Sequence, residues 1–207
     1  MRKPSIALKA LAFAALLGAG AAARADITVY TSQADFLAAV SAPGYDSFDD
    51  LSIAPYDPTL ARTAGAYSYQ AYSPAGLWGA GGTGGDYWLS NEDGLAPIVF
   101  SNFSGGVSAF GGNFFMSDIT GQYEVGNLVL TADDGTTLSY ALNGTTTSTF
   151  LGFVADTALV SVALETDGGL YWPTANDVVL AVPEPSTYGM LLAGVGLLAV
   201  AARRRRG

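Results

Sequence analysis

The stretch Asn127-Leu128-Val129-Leu130-Thr131-Ala132-Asp133-Asp134-Gly135-Thr136-Thr137-Leu138-Ser139-Tyr140-Ala141-Leu142 decides the fold. Two short runs, Asn127–Ala132 and Thr136–Leu142, flank an Asp-Asp-Gly turn. Asp-Gly supplies the left-handed backbone that a tight hairpin needs, so the segment reads as two antiparallel strands. The same grammar repeats on both sides. Asn143-Gly144 is a second hairpin turn leading into Thr147–Val154, and Ala158–Thr166 alternates Leu159, Val160, Val162 and Leu164 with small residues before Asp167-Gly168-Gly169. Asp177–Val182 supplies a last strand.

Working toward the N-terminus, Asn113–Met116, Val107–Phe110 and Ile98–Phe103 are strands punctuated by Gly111-Gly112 and Gly105-Gly106. Gly65–Tyr72 alternates with Tyr67 and Tyr69, the period-2 pattern of a half-buried strand. Ile27–Tyr30 is a first strand. Ser32 then caps a short helix, with Asp35 in the capping-box position and Phe36, Leu37 and Val40 on one face, ended by Pro43-Gly44. About ten short strands with Gly, Asp and Asn turns predict an all-β fold, an antiparallel β-sandwich that is jelly-roll-like, with one short N-terminal helix. No second amphipathic helix separates the strands, which argues against a doubly wound α/β fold.

The two ends read as targeting segments. Arg2, Lys3 and Lys9 precede an apolar stretch from Ala10 to Ala22, and Ala23-Arg24-Ala25 forms a small-x-small cleavage site before Asp26, so residues 1–25 are a secretory signal peptide. At the other end, Val182-Pro183-Glu184-Pro185-Ser186-Thr187 leads into an uncharged apolar run, Tyr188–Ala202, and then Arg203, Arg204, Arg205 and Arg206. Two prolines two apart favour an extended, exposed peptide. The run is a C-terminal transmembrane helix short of the about 20 residues a stable span needs, and the arginines leave its end in the cytoplasm. Residues 26–181 remain as the secreted domain and 182–207 as the tail.

Pro183, Glu184 and Pro185, the apolar run and the arginine cluster, in this order and spacing, resemble the PEP-CTERM signal of Gram-negative, exopolysaccharide-producing bacteria. The resemblance spans about Val182 to Arg206. It implies that a membrane-embedded cysteine protease, an exosortase, reads Pro183-Glu184-Pro185 while Tyr188–Ala202 holds the chain in the inner membrane before processing. The protein would then reach the cell surface or extracellular matrix. A second resemblance covers most of residues 26–181. Ser47-Phe48-Asp49-Asp50-Leu51, Gly106–Gly111, Phe150–Val154 and Asn176-Asp177-Val178 are together similar to secreted β-sandwich domains that precede such tails and look like distant relatives of jelly-roll carbohydrate-binding modules. Asn176-Asp177 inverts the Asp-Asn typical of that pattern.

Composition removes whole classes of function. Residues 26–181 hold 17 acidic side chains against one cation, Arg62, a formal charge of −16. Phosphate binding needs clustered Lys or Arg, so nucleic acid is excluded and anionic membranes are disfavoured. The chain has no histidine and no cysteine, which excludes Ser-His-Asp triads, thiol nucleophiles and soft metal sites. Neutral glycans, cationic surfaces and divalent cations stay open as partners.

Two sets of residues are candidates for function. Trp78, Trp88, Tyr171 and Trp172, near Tyr67, Tyr69, Tyr72 and Tyr87, could stack on sugar rings, their polar edges bonding hydroxyls, against core packing as the plain alternative. Asp49, Asp50 and Asp177 could ligate Ca²⁺ between the two ends of the domain, against solvated turns. The expectation is a non-catalytic, exosortase-sorted protein associated with extracellular polysaccharide. The alternatives are a small glycoside hydrolase or lyase built on a carboxylate pair from Glu92, Glu124 and Glu165, or an ice-active or adhesive surface protein. Thr145–Thr149 is a single threonine run without the periodic repetition of an ice-matching array.

Overall fold

The computed structural model describes residues 26–81, 84–168 and 171–184. The signal-peptide residues Ala23 and Ala25, the apolar run 188–202, Pro185 and Arg203 to Arg206 lie outside the described residues. Among the described residues no helix is long and apolar enough to cross a membrane.

The domain is an antiparallel sandwich of two sheets. The larger contains β1 (Ile27–Tyr30), β13 (Phe150–Ala155), β9 (Ala109–Ser117), β15 (Trp172–Pro183), β7 (Tyr87–Asn91), β6 (Leu77–Gly81) and β3 (Pro55–Tyr56), in that spatial order. Two more strands attach to it: β10 (Tyr123–Glu124) to β9, and β2 (Val40–Asp46) to β15. The smaller sheet runs β12 (Thr137–Leu142), β11 (Leu128–Asp133), β14 (Ser161–Thr166), β8 (Ile98–Ser101), β5 (Tyr67–Tyr72) and β4 (Thr59–Ala64).

The hairpin 127–142 forms as β11 and β12, paired from Leu128↔Leu142 to Asp133↔Thr137. Gly135 takes φ +102 at its turn, with its N–H donating to the Asp133 carboxylate at 2.8 Å. Strict alternation along β11 sends Leu128, Leu130 and Ala132 inward, where they meet Phe110, Phe114 and Phe153 from the larger sheet in one continuous core. Each fully buried side chain of that size contributes about 1.5–3 kcal/mol.

The larger sheet is covered on its second face too. Helix α1 (Gln33–Ala39) starts where Ser32 accepts a hydrogen bond from the Asp35 N–H at 3.3 Å. Its Phe36 packs on the Phe150 ring at 5.5 Å between centroids, in a cluster with Val40, Val179 and Ala181. Packing on both faces explains why β9 and the middle of β15 are buried at nearly every position.

Four expectations are corrected. Gly111-Gly112 does not end a strand: β9 runs straight through it, since a Cβ on Gly111 would meet the Phe150 ring at 2.9 Å. Pro43-Gly44 lies inside β2, which begins directly after the helix, and Gly44 lets it pass against the Ala64 backbone. Asn143-Gly144 carries the chain from β12 in one sheet to β13 in the other, so it is a crossover and not a hairpin turn. The glycine-rich Gly79–Gly85, whose composition reads as a flexible loop, begins inside β6, whose hairpin with β7 is paired from Leu77↔Asn91 to Gly81↔Tyr87.

Candidate functional site

The outward face of the larger sheet carries a cleft. Trp78 on β6 sits opposite Ser90 on β7, and Trp172 on β15 opposite Ser117 on β9. Alternation puts these four residues on the side away from the main core, and all four line a cleft of about 360 Å³. That size falls in the range of small-ligand sites. Its floor is a buried hydroxyl chain: Ser90 donates to the Pro173 carbonyl at 3.0 Å, and Ser117 pairs with Thr174 at 2.8 Å. The two half-buried tryptophans lie on strands far apart in sequence, brought together by the β15–β7 and β7–β6 pairings.

One wall is the turn after β9. The Asp118 Oδ1 accepts hydrogen bonds from the Thr120 N–H at 2.8 Å, the Thr120 hydroxyl at 2.7 Å and the Gln122 N–H at 2.9 Å. Those bonds hold its carboxyl below the usual range, the Thr120 bond chiefly. Gly121, at φ +76, rests 3.2 Å (for an added Cβ) from Ala80, and Gln122 donates to the Gly81 carbonyl at 2.7 Å. The turn is thereby clamped to β6, with Ile119 exposed on the rim.

The other end of the cleft is formed by Asn91 and Glu92. Asn91 is 3% exposed. Its amide N–H₂ donates to the Ala96 carbonyl at 2.8 Å and the Ser73 hydroxyl at 3.3 Å, while its Oδ1 has no partner. Following outward Ser90 and paired with Leu77, Asn91 turns its side chain to the core, where an open acceptor costs roughly 1–3 kcal/mol. Glu92 is exposed beside it.

Of the four aromatic candidates, Trp78 and Trp172 meet in this cleft. Trp88 does not join them: it is 5% exposed, packed edge-on against Phe115 at 4.8 Å in a cluster that Trp78 covers, and therefore has no face to offer a sugar. Tyr171 packs against the main core and is absent from the cleft lining. Tyr67 and Tyr69 are core residues. Ser90, Asn91, Ser117 and Asp118 carry no local signal that sequence reading could have caught, because strand pairing alone assembles them.

The three aspartates proposed for calcium are split. Asp50 is taken by Arg62, whose Nη1 and Nη2 donate to it at 2.7 and 2.6 Å. Arg62 also donates through Nε and Nη2 to Asp46, at 2.9 and 2.5 Å, and lies 5.2 Å from the Phe48 ring centroid. Burial works against the guanidinium charge, but hydrogen bonds to Asp50 and Asp46 outweigh it and raise its pKa. The Arg62 hydrogen bond holds the Asp50 carboxyl low. Tyr69 donates to Asp46 at 2.7 Å, and burial, then the Asp46 charge, push its phenol well up.

Asp177 sits at φ +49, where β15 is irregular between Asn176 and Val179. Burial first, and the charges of Asp86 and Asp49, raise its pKa despite the Asn113 amide donating at 3.1 Å. Among the described residues no group of three or more acidic side chains is gathered so as to hold a metal ion.

The start of the tail is part of the fold. Val182 pairs with Ser41 and Pro183 with Val40, both in β2, and the Glu184 N–H donates to the Ala39 carbonyl at 3.2 Å. The expectation of a freely exposed peptide from Val182 onward is corrected here: Val182 and Pro183 are half-buried strand residues, because β2 offers them an open edge. Residues 181–206 match the PEP-CTERM protein-sorting motif. The motif implies export and sorting by an exosortase, and the β-rich domain ahead of it fits such a substrate. No curated protein and no solved structure matches the chain.

Proposed function

We propose that the chain is a non-catalytic, exosortase-sorted matrix protein whose sandwich binds extracellular polysaccharide in the Trp78/Trp172 cleft. The observation carrying this reading is the convergence of two half-buried tryptophans over a preformed polar floor. Flat indoles stack on the C–H faces of pyranose rings, while the rim carboxylates take hydroxyl hydrogen bonds. The tail supports it by implying export to the compartment where such polymers lie.

A hydrolase reading finds less support. Glu92 is in the cleft, but Glu124 is on β10 and Glu165 on β14 of the other sheet. The other carboxylate of the cleft lining, Asp118, has one oxygen committed to three donors of its own turn. That arrangement suits a fixed binding wall better than an acid–base pair.

The test is cosedimentation of the protein with the producing cells' own polysaccharide, with and without a calcium chelator. Saturable binding weakened at least tenfold by Trp172→Ala or Trp78→Ala supports the proposal. Binding unaffected by both substitutions removes the cleft from it. Loss of binding with chelator would bring calcium back in at a site other than the Asp49, Asp50 and Asp177 trio.

A further inference from the structure

The ligand of this cleft can be narrowed by counting what hydrogen-bonding capacity is left open. On the reading of the cleft as a glycan site, its hydroxyl floor is largely spent, with the Ser90 hydroxyl on Pro173 and Ser117 paired with Thr174. The open donors are the indole N–H groups of Trp78 and Trp172, and the open acceptors are the Glu92 carboxylate and the second oxygen of Asp118. Both acceptors carry negative charge, and no basic side chain lines the cleft.

The wider field has the same sign. Seventeen acidic residues surround one arginine, and that arginine is fully engaged by Asp46 and Asp50 on another part of the surface. A uronic-acid polymer would approach a like-charged surface and find no cationic donor in the lining to receive its carboxylates. A neutral sugar would use the acceptors through hydroxyls. A sugar ammonium would use them with charge assistance and also lie over indole faces, where cations are attracted.

We infer that the Trp78/Trp172 cleft selects glycans bearing free amino groups, with Glu92 and Asp118 as the ammonium acceptors. This inference rests on the glycan-binding reading. The polymer so recognised is a hexosamine chain at least partly free of N-acyl groups.

The experiment titrates the full chain, held in a detergent without a sugar headgroup, with a short glucosamine oligomer, the same oligomer after N-acetylation, and an oligouronate. Tighter binding of the free amine by about tenfold or more is expected at low salt, and that preference should shrink as salt screens it. Glu92→Gln should remove most of the preference, weakening the free amine's binding several-fold more than the acetylated oligomer's. Asp156→Asn, an exposed charge outside the cleft, should leave the preference intact; an equal loss there would mean unspecific attraction and overturn the inference. Equal affinity for amine and N-acetyl forms, or preference for the uronate, overturns the amine inference and leaves the glycan site standing. No binding of any oligomer overturns both.

Discussion

At the scale of single residues, the domain's lone cation explains more of its stability than any catalytic idea. Arg62 joins Asp46, the last residue of β2 in the larger sheet, to β4 in the smaller one, so one ion pair ties the two sheets at their edge. Asp46 is buried, and its other oxygen bonds are to Tyr69 and the Phe48 N–H. Arg62→Ala would leave that carboxylate without its counter-charge, and a loss of about 3–5 kcal/mol is expected in urea unfolding. The exposed partner, Asp50, is worth little by comparison: Asp50→Asn should cost under about 1 kcal/mol.

Asp177 predicts the opposite sign. Its folded pKa is raised, so its contribution to stability is full below the ordinary carboxylate pKa and is lost as pH rises through the raised value. Asp177→Asn removes the repulsion from Asp86 and Asp49 and tolerates the positive φ, since Asn favours that region. The variant should therefore melt higher than wild type at pH 7, with the difference fading as pH falls toward 4. A variant that is less stable at pH 7 would contradict this account of the site.

At the scale of elements, packing of the helix on the sheet depends on missing side chains. A Cβ on Gly152 would fall inside the Phe36 ring, and one on Gly111 would press the Phe150 ring. Gly152→Ala should cost about 1–3 kcal/mol, since the ring must leave its seat on the sheet. Combining it with Phe36→Leu should recover part of that loss, measured as a double-mutant cycle by thermal or urea unfolding. Additive losses would mean the two residues do not press on one another.

For the whole molecule, the sequence discloses class more readily than contact. The Asp133-Asp134-Gly135 hairpin, the Ser32 cap and the alternating tyrosines are local signals, and each reappears in place. β2 and the β6–β7 hairpin were missed because Pro43, Gly44 and the glycines near residue 80 carry breaker signals locally. In the fold, neighbouring backbones and rings fill the room those glycines leave. The cleft was half legible. Trp78 and Trp172 announce themselves by type, but Trp88 looks identical in sequence and is buried, since the face each strand turns outward is fixed only by sheet order. Asp50 was misread for a related reason: its partner, Arg62, lies on another strand.

The same scale holds the central claim, that this sandwich is delivered outward by the tail fused to its last strand. β15 is one strand from the cleft at Trp172 to Pro183, with irregularities after Asn176 and Leu180, so binding site and sorting motif share it, and Glu184 is still tied to Ala39. A protease reading the motif meets Pro183 already paired in the sheet, so the cut is expected beyond Glu184. The decisive measurement is the intact mass of the protein recovered from the extracellular polysaccharide fraction of producing cells. A chain beginning at Asp26 and ending beyond Glu184 without Arg203 to Arg206 is the predicted result. Recovery only as the uncut chain in the inner membrane, or ending upstream of Pro183, would contradict it.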